Sequence, residues 1–166
     1  ISIVPRGQAG GMTISLPEED RSYLSRRYME DQIVALLGGR AAEKLCLGDI
    51  STGASNDIQR ASAIARKMVA SYGMSEKIGT VSFDSGHDEV FIGRTMSQGR
   101  SYSEAVAAQI DSEVRALVSA AYDRCEDILR RQRDKLEAVA QYLLEHETME
   151  RDAFLAVFGE TEPSTE

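Results

Sequence analysis

A mainly α-helical domain with a small β-sheet at its N-terminal end is what this sequence predicts, and three observations carry the prediction. Apolar residues recur at helical spacing over most of the chain from Ser25 to Phe158. Strict alternation of apolar and polar residues is confined to Ile1 to Leu16, with a further short apolar run at Val90 to Ile92. Residues that start and stop helices stand at the junctions between the periodic stretches.

The sheet comes first. Ile1 and Ile3, then Met12, Ile14 and Leu16, alternate with polar residues, and Pro5 to Gly11 between them supplies turn chemistry, so two short strands are expected. Because Ile1 already lies in the strand pattern with no polar lead-in, further residues of the same fold are expected upstream.

Helices follow. From Ser25 to Leu47, Tyr28, Ile33, Leu36, Leu37, Ala41 and Leu45 fall on one face, interrupted at Gly38-Gly39. Two adjacent glycines in a helical pattern each cost about 1 kcal/mol against alanine, which predicts that something packs closely on them. A second helix is expected from Asn56 to Tyr72, with Ile58, Ala61, Ala65, Met68 and Tyr72 along a narrow seam and Gly73 at its end. Asn56 and Gln59 have the spacing of a capping box, which would make Asp57 the first helical residue. Residues 74–100 are rich in turns, with Phe83 and Val90 to Ile92 as anchors. Ser101 and Glu104 form a second capping-box pattern ahead of a long amphipathic helix through Ile110, Val114, Leu117, Ala121, Cys125 and Ile128. Another is expected from Gln132 to Glu145 with Leu136, Val139, Ala140, Leu143 and Leu144 facing inward, and a last one capped by Thr148 and carrying Phe154, Leu155 and Phe158. One domain over 1–158 and a disordered polar tail over 159–166 complete the expectation.

Composition narrows the function classes. An apolar content of 42% in 166 residues suffices for a real core. A net charge of −8 disfavours a nucleic-acid or anionic-membrane surface, since either needs a local excess of Lys and Arg. No apolar run approaches the roughly 20 residues that cross a bilayer, so any membrane anchor is expected outside these residues. Cys46 and Cys125, far apart and on apolar helix positions, are expected to be buried, reduced thiols.

One stretch stands out chemically: Ser51-Thr52-Gly53-Ala54-Ser55-Asn56-Asp57, a loop of small residues that delivers a carboxylate to a helix start. Nothing there makes a Walker-type phosphate loop, because no Gly-Lys-Ser/Thr follows. On spacing alone, a first-turn acid stabilising the helix dipole is the ordinary explanation of Asp57, ahead of a ligand role.

The order of short motifs is more specific. Leu37-Gly38-Gly39-Arg40-Ala41-Ala42-Glu43, the Ser51 to Asp57 loop, Tyr72-Gly73-Met74-Ser75-Glu76, Glu89-Val90-Phe91-Ile92-Gly93-Arg94 and Tyr102-Ser103 follow one another along the chain. Together they resemble the proteolytic domain of the FtsH family of membrane-anchored, ATP-dependent zinc metalloproteases, and the likeness runs from Ile1 to about Phe158. The resemblance implies a helical metalloprotease domain acting with an AAA+ ATPase domain, which uses ATP and Mg2+, in a homo-hexameric ring. It also implies unfolded or membrane proteins as substrates, and the cytoplasmic face of a bacterial inner membrane, or an organelle membrane, as the location.

The resemblance further implies residue roles. Asp57 matches the aspartate that joins two histidines of an HExxH helix in binding Zn2+, and Glu43 matches a glutamate expected to orient a ligand histidine from behind. Gly11, Met12, Thr13, Ile14 and Ser15 match the edge strand along which an extended substrate pairs. No HExxH occurs in the 166 residues, and so the residue that activates water is not among them; the resemblance places that segment just before Ile1. His87 and His146, isolated and differently flanked, are not expected to replace it. A helical ring-assembly module without catalysis of its own is the rival expectation.

Overall fold

The computed structural model describes residues 1–5, 12–14, 23–83 and 102–159, and these contain six α-helices. They are α1 (Arg26–Leu36), α2 (Gly38–Leu47), α3 (Ser55–Ala70), α4 (Glu104–Arg131), α5 (Arg133–His146) and α6 (Arg151–Phe158). The expectation of a mainly helical chain holds. No helix among the described residues is long and apolar enough to cross a membrane. The chain divides into two compact units, one of residues 1–22 with 128–166 and one of residues 23–127.

In the unit of residues 23–127, α1 starts where Ser25 accepts the Tyr28 N–H at 3.2 Å on its hydroxyl. The interruption expected at Gly38-Gly39 falls one residue earlier, at Leu37, and it is slight. Leu37 keeps right-handed backbone angles, and the helical hydrogen bonds run on through it from Leu37 N–H to Ile33 and from Ala41 N–H to Leu37. A Cβ on either glycine would meet no described atom within 4 Å, so the close packing expected there is not found among the described residues.

The core of this unit joins α1, α3 and α4. Met29, Ile33 and Leu37 pack with Ala61, Ala65 and Met68 and with Ala121, and Val114, Leu117 and Tyr122 close the edge. Alanines on the α3 seam let α1 pack directly against it, as the narrow stripe in the sequence suggests. Val69, Ala70 and Ile110 form a second cluster covered by Ile78, Phe83 and Tyr102. Tyr72, expected on the seam, lies beyond the helix end and is 53% exposed.

Three further expectations change. α3 begins at Ser55, with Ala54 rather than Asn56 in the cap position, so Asn56 and Asp57 are its second and third residues. α4 takes its start from Ser103, whose hydroxyl accepts the Val106 N–H at 3.3 Å and whose carbonyl accepts that of Ala107; Ser101 lies outside the described residues. Cys125 is buried as expected, but Cys46 is exposed because α2 turns that face away from the described core. The Val90 to Ile92 strand, like residues 160–166 of the expected tail, lies outside the described residues.

In the other unit the N-terminal pairing is real but minimal. Ser2 and Met12 exchange both backbone hydrogen bonds, at 2.8 and 2.7 Å, as one isolated antiparallel bridge rather than a pair of strands. A third segment, not foreseen, joins from the far side: Ile1 and Met149 exchange both bonds at 2.8 Å, Ile3 N–H reaches Glu147, and Ser2 bridges Thr148. Thr148 is thus engaged in pairing instead of capping α6, whose cap position is Glu150. Leu143 and Met149 are buried here, while Leu144, expected to face inward, is 72% exposed.

Candidate functional site

Glu43 and Asp57, two of the residues singled out in the sequence, flank the stretch where α2 hands over to α3. α2 ends at Gly48, which takes a left-handed conformation (φ 68°) and turns the chain back on itself. The returning loop then runs alongside Arg40 and Glu43, one helical turn apart on α2.

Ser51 is held there by every polar group it has. Its N–H donates to Glu43 Oε2 at 3.1 Å and its hydroxyl to Glu43 Oε1 at 2.5 Å, so the carboxylate grips it with both oxygens. Its carbonyl accepts from Arg40 Nη1 at 3.2 Å, and its Oγ accepts the Gly53 N–H at 3.1 Å. A Cβ on Gly53 would stand 3.2 Å from Ser51 Oγ and 3.9 Å from Glu43 Oε1, so the glycine leaves the room this arrangement needs.

From that fixed point the chain enters α3. Ser55 N–H donates to Thr52 at 3.0 Å, Ala54 is buried, and Ile58 N–H donates to Ala54 at 3.0 Å as the first helical bond. Asp57 follows in the first turn, where the positive end of the helix dipole favours a carboxylate. Its side chain is 44% exposed, and its described charge partner, Arg60, stands 3.7 Å away, a loose pair that leaves the oxygens accessible.

The electrostatics follow from these contacts. The Ser51 hydroxyl first, and its backbone N–H second, hold the Glu43 carboxyl below the usual carboxylate range; Arg40 acts in the same direction, while desolvation and Asp49 oppose. Glu43 is therefore an anion at neutral pH and a firm acceptor.

Asp57 suits one position in a zinc site, being an accessible oxygen donor on a rigid element. Among the described residues, however, no group of three or more His, Cys, Asp or Glu side chains is placed to hold a metal ion. His146 is engaged within its own helix, its ring stacked on Tyr142 at 4.3 Å and its Nδ1 3.1 Å from the Tyr142 carbonyl oxygen. His87 lies outside the described residues.

The residues expected to hold substrate are placed separately, in the unit that contains Ile1. Met12 pairs with Ser2, and Met12, Thr13 and Ile14 are all exposed, Ile14 at 65%. Gly11 and Ser15 lie outside the described residues.

Sequence reasoning found Glu43 and Asp57 but missed Ser51, Arg40 and Gly53 as their supports. The signal was weak: Ser51 and Glu43 stand eight residues apart, a spacing that no helix or strand period singles out.

Comparison with known proteins supplies the remaining observations. The chain matches the family described as peptidase family M41 over residues 1–157. It is 53% identical over 158 residues to ATP-dependent zinc metalloprotease FtsH 2 of Alkaliphilus metalliredigens, an alignment covering 95% of this chain and 23% of that protein. It is 52% identical over 159 residues to ATP-dependent zinc metalloprotease FtsH 1 of a Thermoanaerobacter species, covering 96% of this chain and 26% of that protein. With ATP-dependent zinc metalloprotease FtsH of Caldicellulosiruptor bescii the identity is 50% over 164 residues, covering 98% of this chain and 27% of the relative. The chain thus spans about a quarter of the length of the curated relatives it matches.

Proposed function

The chain belongs to peptidase family M41, and from that premise we propose that it is the peptidase part of an ATP-dependent zinc metalloprotease that degrades unfolded or membrane proteins. The observation that carries the proposal is the accessible Asp57 carboxylate, delivered at the start of α3 by a loop that Glu43 and Arg40 hold in place.

In this proposal residues 1–158 act as one peptidase domain, and Asp57 contributes one oxygen donor to Zn2+. The ion, when bound, supplies Lewis acidity toward the peptide carbonyl and a water acidic enough to ionise near neutral pH. This chain's own residues do three things. Asp57 offers negative charge from one side of the site. Glu43 and Ser51 keep the backbone before it from shifting. The exposed segment Met12, Thr13 and Ile14, beside the Ser2–Met12 bridge, offers backbone groups with which an extended polypeptide pairs, so that side-chain preference stays weak.

A hexameric ring, an ATPase domain using ATP and Mg2+, and a membrane anchor at the cytoplasmic face of a bacterial inner membrane belong to the same proposal. The ATP-dependent part of it is supported by the names of the relatives, ATP-dependent zinc metalloproteases. The rival, a ring-assembly module without catalysis, draws on the finding that no group of three or more His, Cys, Asp or Glu side chains among the described residues is placed to hold a metal ion.

The test is Asp57→Ala in the full-length protein. Zinc content and hydrolysis of an unfolded substrate are expected to be lost while ATP hydrolysis and assembly persist. Zinc and proteolysis at wild-type levels would remove Asp57 from the site and favour the assembly module.

A further inference from the structure

We propose that Ser51 and Glu43 work as a single clasp that sets where α3 begins, and that Ser51 is thereby a positioning residue for Asp57. The inference rests on the assignment of Asp57 to zinc made above.

A helix start is ordinarily fixed by a side chain that accepts a hydrogen bond from one of the first unpaired N–H groups. α3 lacks that device: Ala54 occupies the cap position and has no side chain able to accept. The loop before it, Ser51-Thr52-Gly53-Ala54-Ser55, consists of small residues that impose little conformation of their own. Left to itself such a loop would let the first turn of α3 fray, and Asp57, its third residue, would move with it.

What holds the loop instead lies on the preceding helix. Glu43 takes the Ser51 N–H on one oxygen and the Ser51 hydroxyl on the other, which fixes both the position and the rotation of Ser51. The same hydroxyl oxygen accepts the Gly53 N–H, carrying the constraint two residues further, and Ser55 N–H to Thr52 then closes the turn into the helix. Arg40 on the Ser51 carbonyl prevents the loop from pivoting about that contact. In effect the loop that leads into α3 is anchored to α2 through Ser51.

This assigns Glu43 a task within the described residues that differs from orienting a histidine. Its acceptor oxygens are turned to Ser51, and its effect on the metal passes through the backbone to Asp57. A donor held this way meets the ion without prior ordering, so loosening it lowers metal affinity without removing any ligand.

The test measures zinc dissociation constants by chelator competition in the full-length protein, for Ser51→Ala, Ser51→Thr, Glu43→Gln, Ser51→Ala with Glu43→Gln, and Asp57→Ala. Amide hydrogen exchange at Gly53, Ser55 and Ile58 is followed in parallel without zinc. Ser51→Ala and Glu43→Gln are each expected to weaken zinc about tenfold to a hundredfold, the scale of losing an outer support. The double variant should be no weaker than the worse single one, because both remove the same clasp. Ser51→Thr, which keeps the hydroxyl, should stay near wild type, and the three amides should exchange faster in Ser51→Ala. Wild-type zinc affinity in Ser51→Ala while Asp57→Ala loses the metal would overturn the clasp alone. Losses that multiply in the double variant would overturn it too, since Glu43 would then act on something else. Wild-type zinc affinity in Asp57→Ala would overturn the assignment of Asp57 and this inference with it.

Discussion

Gly73 and Thr80 approach so closely that a methyl group would crowd them: a Cβ on Gly73 would stand 3.0 Å from the Thr80 Cα. Gly73 also has φ 61°, which a side chain resists. The turn after α3 needs both properties, because Met74 N–H reaches back to Met68 at 2.9 Å while the chain from Thr80 to Phe83 returns to donate to Ala70. Gly73→Ala is therefore expected to destabilise by about 2 kcal/mol or more, combining the left-handed penalty with a contact against backbone that cannot yield. Urea unfolding of the two proteins measures it.

The opposite outcome is expected at Gly39. Space beside it is open among the described residues, and alanine is the better helix former by up to about 1 kcal/mol. Gly39→Ala should raise the unfolding midpoint of the 166-residue chain or leave it unchanged. A marked loss would reveal a segment lying against α2 in the folded chain.

Glu113 binds the loop after α3 to α4, taking the Ser75 hydroxyl and the Lys77 ammonium at 2.8 Å each. Lys77 first and Ser75 second hold its carboxyl below the ordinary range, and Glu113 in turn raises Lys77. A lowered acid contributes stability fully above its unfolded value, near 4.3, and loses it as pH falls through the lower folded value. The raised Lys77 contributes fully below its unfolded value, near 10.4, and loses its part as pH rises through the folded one. The stability gap between wild type and Glu113→Gln should accordingly be flat from about pH 5 to pH 10, close as pH falls below that window, and narrow but not vanish above it, where the Ser75 bond remains. Urea midpoints measured across that range check it, and a gap that persists at pH 3 would speak against the charge pairing.

Glu147 is the one residue other than glycine with positive φ among the described residues, at 61°. It sits at the end of α5, where its carbonyl accepts the Ile3 N–H and its own N–H donates to Leu143. The left-handed turn is what aims residues 147–149 at Ile1 to Ile3. Glu147→Gly is expected to stabilise by up to about 1 kcal/mol by relieving the penalty, and Glu147→Val to destabilise by at least as much. Thermal unfolding of the two variants separates them.

The course of the helices was legible because apolar spacing reports which side of a helix wants burial, and Ile33, Ala61, Ala65, Met68 and Ile110 all reached the core. The same spacing does not say whether a partner is present, which is why Cys46 and Leu144 were expected inside and stand exposed. Cap residues misled for a related reason. Asn56 and Gln59 have the right types and spacing, but α3 already begins at Ser55, with Ala54 in the cap position, before Asn56 is reached. Thr148 was read as a cap because its pairing with Ser2, across nearly the whole chain, leaves no local trace. Of the site, the residues that carry charge were visible in the sequence, and those that hold them in place became visible only through contacts between α2 and its following loop.

Arg60 and Asp57 allow the two explanations of the aspartate to be separated in one experiment. The pair spans 3.7 Å between side chains that are 64% and 44% exposed, one helical turn apart, and such pairs contribute about 0.2–0.5 kcal/mol. If Asp57 only stabilises the start of α3, removing it forfeits this small pairing and a dipole term of at most about 1 kcal/mol, and Arg60→Ala forfeits the pairing alone. Both variants would then melt slightly early and otherwise behave as wild type. If Asp57 is a zinc ligand the two must part company. Asp57→Ala loses the metal, whereas Arg60→Ala frees the carboxylate from a competing cation and leaves zinc affinity unchanged or a little higher. The expected result is therefore nearly equal thermal stability for the two variants once stripped of zinc, with zinc content after reloading differing by up to about one ion per chain. Matched zinc content in both would assign Asp57 to the helix and not to the metal.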